Sequence, residues 1–220
     1  MTGLKARVAD WLERSTTASR RRNAAGMFMF GESSPTDRAV ASAYFALMAG
    51  RWARHGDDPH HLAPFVAGLD TCRAPQRVLD IGTGTGSTAA MVAERYPDAD
   101  VTAIDTSRQM LREAEARHRR PNLRFERTSA MALAWPDGHF DLVVFLNAVP
   151  EMEELARVAA PGAEVLAAAT TMPLRADDSA WVARWREMGF RRVGHGAVGR
   201  GSWERYERDD SAASADATRA

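Results

Sequence analysis

Short apolar runs alternate with segments of helical periodicity from residue 77 onward. The apolar runs are typical of buried strands, and they lie at 77–81, 101–104, 122–127, 140–149 and 163–170. Between them, apolar residues recur at helical spacing at 87–96, from Thr106 onward with Gln109 in capping-box spacing, at 151–159 and at 177–188. Alternation of this kind with short connections predicts a parallel sheet covered by helices on both faces.

Residues 190–209 depart from this alternation. Two strand-like runs lie here around glycines without a helical segment between them, so the pair should be antiparallel. Together with the five earlier strands they make seven. The expected fold class is therefore α/β, with a Rossmann-like, seven-stranded, mostly parallel sheet whose last strand is antiparallel.

Residues before about 70 are helical in pattern, with breaks at 31–35 and 55–61, and cannot join the strand alternation. We expect residues 1–70 to form an N-terminal helical cap or lid that includes a basic linker. Residues 71–209 then form the sheet domain, and the small polar tail at 210–220 is expected to be disordered.

Composition narrows the class of protein. The 220 residues carry 29 Lys and Arg and 29 Asp and Glu, and a net charge of zero argues against a protein that coats DNA, RNA or an anionic membrane. Cys72 is the only cysteine, which excludes an intramolecular disulfide and a cysteine-based zinc site, and no metal site is expected. No apolar run is long enough to cross a bilayer, and the N-terminus lacks the apolar core of a secretory signal. A soluble cytoplasmic protein is the expectation.

A glycine-rich turn follows the first predicted strand. Gly82, Gly84 and Gly86 lie between that strand and the next helix, with Asp80 two residues before them. Glycine lets the backbone turn tightly and approach a ligand closely, and the helix that follows presents N–H groups to that ligand. In such sheets, ligands bind beyond the carboxyl ends of the strands.

The spacing of this turn restricts the ligand. A dinucleotide fingerprint would place its third glycine at position 87, where Ser87 stands, and the Gly-Lys-Ser/Thr of a Walker A loop is absent. Asp105, at the tip of the second strand, can accept hydrogen bonds from both hydroxyls of a ribose and would repel a 2′-phosphate. The pattern favours a nucleoside without phosphates.

Four motifs occur in one order: "VLDIGTGTG", "AIDTSRQML", "MALAWPDGHFDLVVFLNAV" and "EELARVAAPGAEVL". Together they resemble the class I methyltransferases that depend on S-adenosylmethionine, over about residues 40–205. The resemblance implies S-adenosylmethionine as the cofactor and a small molecule as the methyl acceptor.

The resemblance also assigns residues by position. It gives the methionine part of the cofactor to Asp80 and the turn of Gly82, Thr83, Gly84 and Gly86, and the ribose to Asp105. Thr106 and Met110 would flank the nucleoside. Ser129 and Ala130 would meet the adenine, with Ser129 standing where the family often has Asp. Asn147 and Ala148 would line the floor near the transferable methyl group.

Catalytic residues are harder to identify, because methyl transfer from a sulfonium depends mainly on positioning and exclusion of water. Glu151 and His55 are the candidates for a general base. Each also has an ordinary explanation, Glu151 as a first-turn acid of a helix and His55 as a solvated loop residue. Arginines at 184, 186, 191, 192, 200 and 205 could form a basic face for RNA, although a solvated surface explains them as well.

Other functions stay open at this point. The sequence "NAVPEM" replaces the Asn/Asp-Pro-Pro-Tyr/Phe motif of enzymes that methylate adenine, which disfavours DNA. A catalytically silent cofactor-binding protein of the same fold is one alternative. An NAD-dependent oxidoreductase is another, disfavoured by Ser87 and by the absence of a Tyr-x-x-x-Lys pair. Oxygen, nitrogen and carbon acceptors are not separated, and a homodimer is left open.

Overall fold

The computed structural model describes residues 57–148, 150–170 and 179–209. The predicted N-terminal amphipathic helix, the basic linker, the candidate base His55 and the C-terminal tail lie outside these ranges. The helices are α1 (Pro59–Leu69), α2 (Ser87–Arg95), α3 (Arg108–Arg117), α4 (Met152–Val158) and α5 (Ser179–Glu187). The strands are β1 (Arg77–Ile81), β2 (Asp100–Asp105), β3 (Leu123–Arg127), β4 (Phe140–Leu146), β5 (Ala159–Ala169), β6 (Phe190–Val198) and β7 (Gly201–Arg208).

The seven strands form one sheet in the order β3-β2-β1-β4-β5-β7-β6. Strands β1 to β5 are parallel, and β7 is antiparallel to both of its neighbours. The predicted mostly parallel sheet with an antiparallel last strand is confirmed. Because β1 lies between β2 and β4, the order of strands reverses at β1, and the crevice at the carboxyl ends of β1 and β4 is where such sheets bind ligands.

Apolar side chains fill both faces of the sheet. In β4, Leu142 and Val144 belong to the core beneath α1 and α2, whereas Val143 and Phe145 belong to the core beneath α4 and α5. This alternation follows from the two-residue period of a strand, and it explains why a central strand is an uninterrupted apolar run. Each fully buried Phe or Leu stabilises the fold by roughly 1.5–3 kcal/mol.

Helix α1 lies directly on the sheet. A Cβ atom added at Gly68 would lie 2.4 Å from Cδ1 of Leu166 in β5, and one added at Gly201 in β7 would lie 2.5 Å from Cγ of Pro64. These glycines permit the close approach of helix and strands. Residues 59–69 are thus part of the helical layer over the sheet, and the helical cap remains a prediction for the residues before them.

Most boundaries differ from the predicted ones by a residue or two, and three of the differences have a visible cause. Helix α3 begins at Arg108 with Ser107 as its N-cap, whose Oγ accepts from the Met110 backbone N at 3.3 Å, so the prediction that Thr106 caps it is wrong. Strand β4 ends at Leu146 because Asn147 takes a left-handed conformation, with φ of 54°. Strand β5 begins at Ala159 and runs through Pro161 and Gly162, where an irregularity shifts its register with β4.

Within the described part of the chain, no helix is both long enough and apolar enough to cross a membrane.

Candidate cofactor site

The glycine turn connects β1 to α2 in a tightly held conformation. Two hydrogen bonds hold it to the end of β2. The carbonyl oxygen of Ile104 accepts from the Gly82 backbone N at 2.9 Å and from the Thr83 backbone N at 3.0 Å. Gly82 and Gly84 take left-handed φ angles of 69° and 57°, which side chains rarely allow. A Cβ at Gly82 would also lie 2.6 Å from that of Ala148, whereas one at Gly84 would have no atom of the described residues within 4 Å. Among these residues, the backbone at Gly84 therefore borders open space that a ligand can enter.

Asp80 lies beneath this turn and is 1% exposed. Its Oδ2 accepts a 2.8 Å hydrogen bond from Oγ1 of Thr88 in the first turn of α2. Its Oδ1, and the Oγ1 of Thr83, are buried and make no hydrogen bond of ordinary geometry with the described residues, although the Thr83 side chain and the Ala89 backbone N–H lie close enough to Asp80 to lower its pKa. Burial raises the pKa of Asp80 to about 6. A buried carboxylate with an oxygen left over is suited to a ligand that brings a cationic or N–H donor.

Asp105 ends β2 on the other side of the turn. Its Oδ2 accepts from the Gly84 backbone N at 3.0 Å, and its Oδ1 accepts from the Ser107 backbone N at 2.8 Å. Burial raises the pKa of this half-buried carboxyl group. Each carboxylate oxygen has a second lone pair, so Asp105 keeps acceptor capacity for the two hydroxyls of a ribose while it holds the turn.

The residues expected around the nucleoside have different surroundings. Met110 is buried in the first turn of α3, and Thr106 is exposed, with its carbonyl oxygen accepting from Nε of Arg127 at 3.1 Å. Ser129 is exposed, and its Oγ accepts from the Met131 backbone N at 3.3 Å. Ala130 packs against the core. The Oγ of Ser129 has a second lone pair, so it can still accept a hydrogen bond from a ligand.

The two residues expected at the floor of the site, Asn147 and Ala148, make different contacts. The side-chain amide of Asn147 pairs with Thr170 at the end of β5, with Nδ2 donating to Oγ1 at 3.1 Å and Oδ1 accepting from the backbone N at 3.0 Å. This residue thus ties the ends of β4 and β5 together. Ala148, which follows it, is the residue that lies against Gly82.

Of the two candidate bases, only Glu151 lies in the described residues. It is half-buried and occupies the N-cap position of α4, but its side chain does not cap the helix. The acids of the first turn are Glu153 and Glu154, so the interpretation of Glu151 as a first-turn acid is wrong by one position. Glu151 follows the end of β4, on the side of the sheet where the glycine turn lies.

Several of the C-terminal arginines form ion pairs rather than a uniform basic face. The pairs are Arg184 with Glu153, Arg191 with Glu207, Arg192 with Glu204 and Arg205 with Glu164. Each cation lies beside a carboxylate, which removes much of the positive field that binding to RNA requires.

The sequence pattern did not identify Thr88, the hydrogen-bond donor to Asp80, or Asp57, which accepts from Oγ of Ser87 at 2.6 Å. Thr88 is the second residue of α2, and its hydroxyl has no distinguishing sequence signal. Asp57 is 30 residues before its partner, so only the folded chain brings the two together.

The family model for a methyltransferase domain matches residues 78–168. Over 105 residues the chain is 41% identical to a demethylmenaquinone methyltransferase of Thermus thermophilus, covering 43% of this chain and 47% of that protein. Over 122 residues it is 40% identical to a trans-aconitate 2-methyltransferase of Methylobacterium nodulans, covering 52% and 46%. The chain thus spans about half the length of the curated relatives it matches.

Solved structures share the fold. A methyltransferase from Aquifex aeolicus, described as dependent on S-adenosylmethionine, has a TM-score of 0.59 at 21% identity, over 70% of this chain and 95% of its own. The 1,6-didemethyltoxoflavin-N1-methyltransferase of Burkholderia thailandensis, solved with bound 1,6-didemethyltoxoflavin and S-adenosylhomocysteine, has a TM-score of 0.61 at 16% identity. That likeness covers 81% of this chain and 92% of the other. At these identities the likeness concerns the fold alone.

Proposed function

We propose, since residues 78–168 match the family model for a methyltransferase domain, that this protein transfers a methyl group from S-adenosylmethionine to a small-molecule acceptor. The observation that carries the proposal is the arrangement of two carboxylates around a left-handed glycine turn. Asp80 lies beneath the turn with a buried oxygen that makes no regular hydrogen bond to the described residues, and Asp105 accepts a hydrogen bond from Gly84 at the side of the turn. A nucleoside with a cationic amino acid attached fits these groups better than a phosphate-bearing nucleotide does.

The residues present fit this cofactor. Asp80, Thr83 and the backbone of Gly82, Gly84 and Gly86 would hold the amino-acid part, and Asp105 would hold the ribose. Thr106, Met110, Ser129 and Ala130 would border the nucleoside base. When bound, the cofactor supplies a methyl group made electrophilic by the positive sulfur that carries it.

The contribution of the chain is then to position the acceptor and exclude water. An amine acceptor needs only to arrive neutral, whereas a hydroxyl acceptor gains from a base that removes its proton. Glu151 and His55 are our candidates for that base. The small-molecule class is supported by two of the relatives, one named for demethylmenaquinone and the other for trans-aconitate.

A transfer assay tests the proposal. The protein is incubated with S-adenosylmethionine and panels of hydroquinones, polycarboxylic acids, phenols and amines, and formation of S-adenosylhomocysteine is measured. We expect at least one acceptor class to raise its formation above the acceptor-free rate, and Asp105→Ala to remove that increase. Cofactor binding without transfer to any panel would instead favour the catalytically silent alternative.

Glu151→Gln tests the proposed base on whichever acceptor is found. For a hydroxyl acceptor we expect kcat to fall by ~10²-fold or more, with the KM for the cofactor unchanged. An unchanged kcat would remove Glu151 from the catalytic residues and leave His55 as the candidate.

A further inference from the structure

Helix α2 begins without an ordinary capping side chain. Its N-cap is Gly86, with φ of 84°, and no side chain of that residue can bond to the first turn. Because helix N-termini leave backbone donors unpaired, a glycine cap fixes the start of a helix less firmly than Ser or Asp does. Other contacts must therefore hold the start of α2, which is also the end of the glycine turn.

Two hydroxyl groups in the first turn of α2 bond to carboxylates outside the helix. Thr88 donates to Asp80 in β1 at 2.8 Å, and Ser87 donates to Oδ1 of Asp57 at 2.6 Å. Asp57 comes from the segment before α1 and is not part of the sheet. The first two residues of α2 are thus held by separate partners.

Asp57 has a second partner. Its Oδ2 accepts from Nη2 of Arg117 in the last turn of α3. We call Asp57, Ser87 and Arg117 the clasp, because their side chains join the start of α2 to the end of α3. Gly86 is packed into the same region, since an added Cβ would lie 2.9 Å from both Cβ of Ala114 and the Phe125 ring.

The clasp is not needed to build α1. That helix is capped by the neighbouring residue, Asp58, whose Oδ1 accepts from the His60 backbone N at 2.9 Å. Adjacent carboxylates therefore bond to different elements, Asp58 to its own helix and Asp57 to the start of α2 and the end of α3. Removal of the Asp57 carboxylate should leave the packing of α1 on the sheet intact.

We infer that Asp57 is a positioning residue of the cofactor site, acting through Ser87 to hold the last residue of the glycine turn. This inference rests on the proposed function, because the turn is taken to be where S-adenosylmethionine binds. Since the Asp57 side chain is 49% exposed, its hydrogen bonds are partly screened by water, and the effect should be moderate. A loss of about fivefold in cofactor affinity corresponds to one such hydrogen bond.

The test compares Asp57→Ala, Ser87→Ala, the double variant and Asp58→Ala by titration calorimetry with S-adenosylhomocysteine. We expect the first two to weaken binding about fivefold each, and the double variant to be no weaker than Asp57→Ala, because both single changes break the same bond. Asp58→Ala should lower the melting temperature through loss of the α1 cap and leave the Kd unchanged. Unchanged Kd values for Asp57→Ala and Ser87→Ala, or additive losses in the double variant, would overturn the inference.

Amide hydrogen exchange on the cofactor-free protein keeps this test separate from the proposed function. Exchange of residues 82–88 should become faster in Asp57→Ala and Ser87→Ala, but not in Asp58→Ala. If the unaltered protein fails to bind S-adenosylhomocysteine, the proposed function fails, while exchange still reports whether the clasp holds the turn. Equal exchange in all variants would show that it does not.

Discussion

At the level of a single residue, Asp80 is a buried carboxyl group of the candidate site that lowers the stability of the folded protein when it is ionised. It is fully enclosed, with one oxygen bonded to Thr88 and the other making no regular hydrogen bond to the described residues. Burial raises its pKa to about 6, so the folded protein holds the proton of this carboxyl group more tightly than the unfolded chain does. The contribution of Asp80 protonation to the free energy of unfolding is fully present below about pH 4 and is lost as the pH rises through about 6.

Asp80→Asn should therefore stabilise the protein above the pKa of the carboxyl group. The amide keeps the shape of the side chain but removes the buried charge. At pH 8 we expect a gain of up to ~3 kcal/mol in the free energy of unfolding, because that is what a rise in pKa from about 4 to about 6 costs the ionised protein, and little change at pH 4. Urea denaturation at the two pH values measures the difference. A variant less stable than the unaltered protein at pH 8 would show that the charge is compensated.

Protonation of Asp80, which stabilises the folded protein, should weaken cofactor binding. A cationic amino group prefers the ionised form of Asp80, and Asp105, whose pKa burial also raises, acts in the same direction. We expect the Kd for S-adenosylhomocysteine to be about tenfold higher at pH 5 than at pH 8, with protons released on binding near pH 6. Calorimetry in two buffers of different ionisation enthalpy measures that release. A Kd that is flat from pH 5 to pH 8 would contradict this role for Asp80.

At the level of elements, Arg157 of α4 organises the segment between β3 and β4. Its guanidinium donates to the carbonyl oxygens of Leu133 at 2.9 Å and Trp135 at 2.8 Å, and to the carboxylates of Asp137 and Glu154. Hydrogen bonds from the Arg157 side chain, more than any other contact, lower the pKa of Glu154 to about 2. The hydrogen bonds of this one side chain thus hold a segment that has no helix or strand of its own.

Arg157→Ala should cost about 2–4 kcal/mol in the free energy of unfolding, because two carbonyl oxygens and two carboxylates lose their shared donor. Arg184→Ala is the matched control, since it removes an exposed arginine that pairs with Glu153 and Glu187, and should cost less than ~1 kcal/mol. Urea denaturation at pH 7 separates the two. Equal losses would mean that the segment does not depend on Arg157.

Strand β7 shows what the hydrophobic pattern does not reveal about an element. Glu204 is charged, yet it is 1% exposed. Its carboxylate accepts from Nε1 of Trp181 at 2.7 Å, from the Tyr206 hydroxyl at 2.6 Å and from Arg192 at 3.0 Å. These partners come from α5, β6 and β7, and only a folded sheet brings them to one carboxylate. From sequence alone, a charged residue in a strand is expected to be exposed, because its hydrogen-bond partners in the folded protein are not known.

At the level of the whole molecule, most of the architecture follows from periodicity. The apolar run of β4 and the helix-free pair at residues 190–209 identify the central strand and the antiparallel edge of the sheet. The start of β5 was less predictable, because Pro161 and Gly162 are typical of a break, whereas here they lie in an irregular part of the strand.

The residues of the candidate site that lie at the ends of strands could be predicted from the sequence. Neighbouring parallel strands finish at one edge of the sheet, so Asp105 was expected near the glycine turn, and it bonds to Gly84. The side-chain bonds of Asn147 to Thr170 and of Asp57 to Ser87 join residues 23 and 30 positions apart. No local pattern predicts such contacts, because they depend on how the elements pack.

The central claim is that the glycine turn holds a nucleoside without phosphates through Asp105. Calorimetry with S-adenosylhomocysteine and with NAD tests it on the unaltered protein, on Asp105→Ala and on Asp100→Ala, which changes an exposed residue at the other end of β2. We expect the unaltered protein and Asp100→Ala to bind S-adenosylhomocysteine and not NAD, and Asp105→Ala to bind at least about tenfold more weakly, as loss of a charged acceptor predicts. Tight binding of NAD, or an affinity that Asp105→Ala leaves unchanged, would contradict the account.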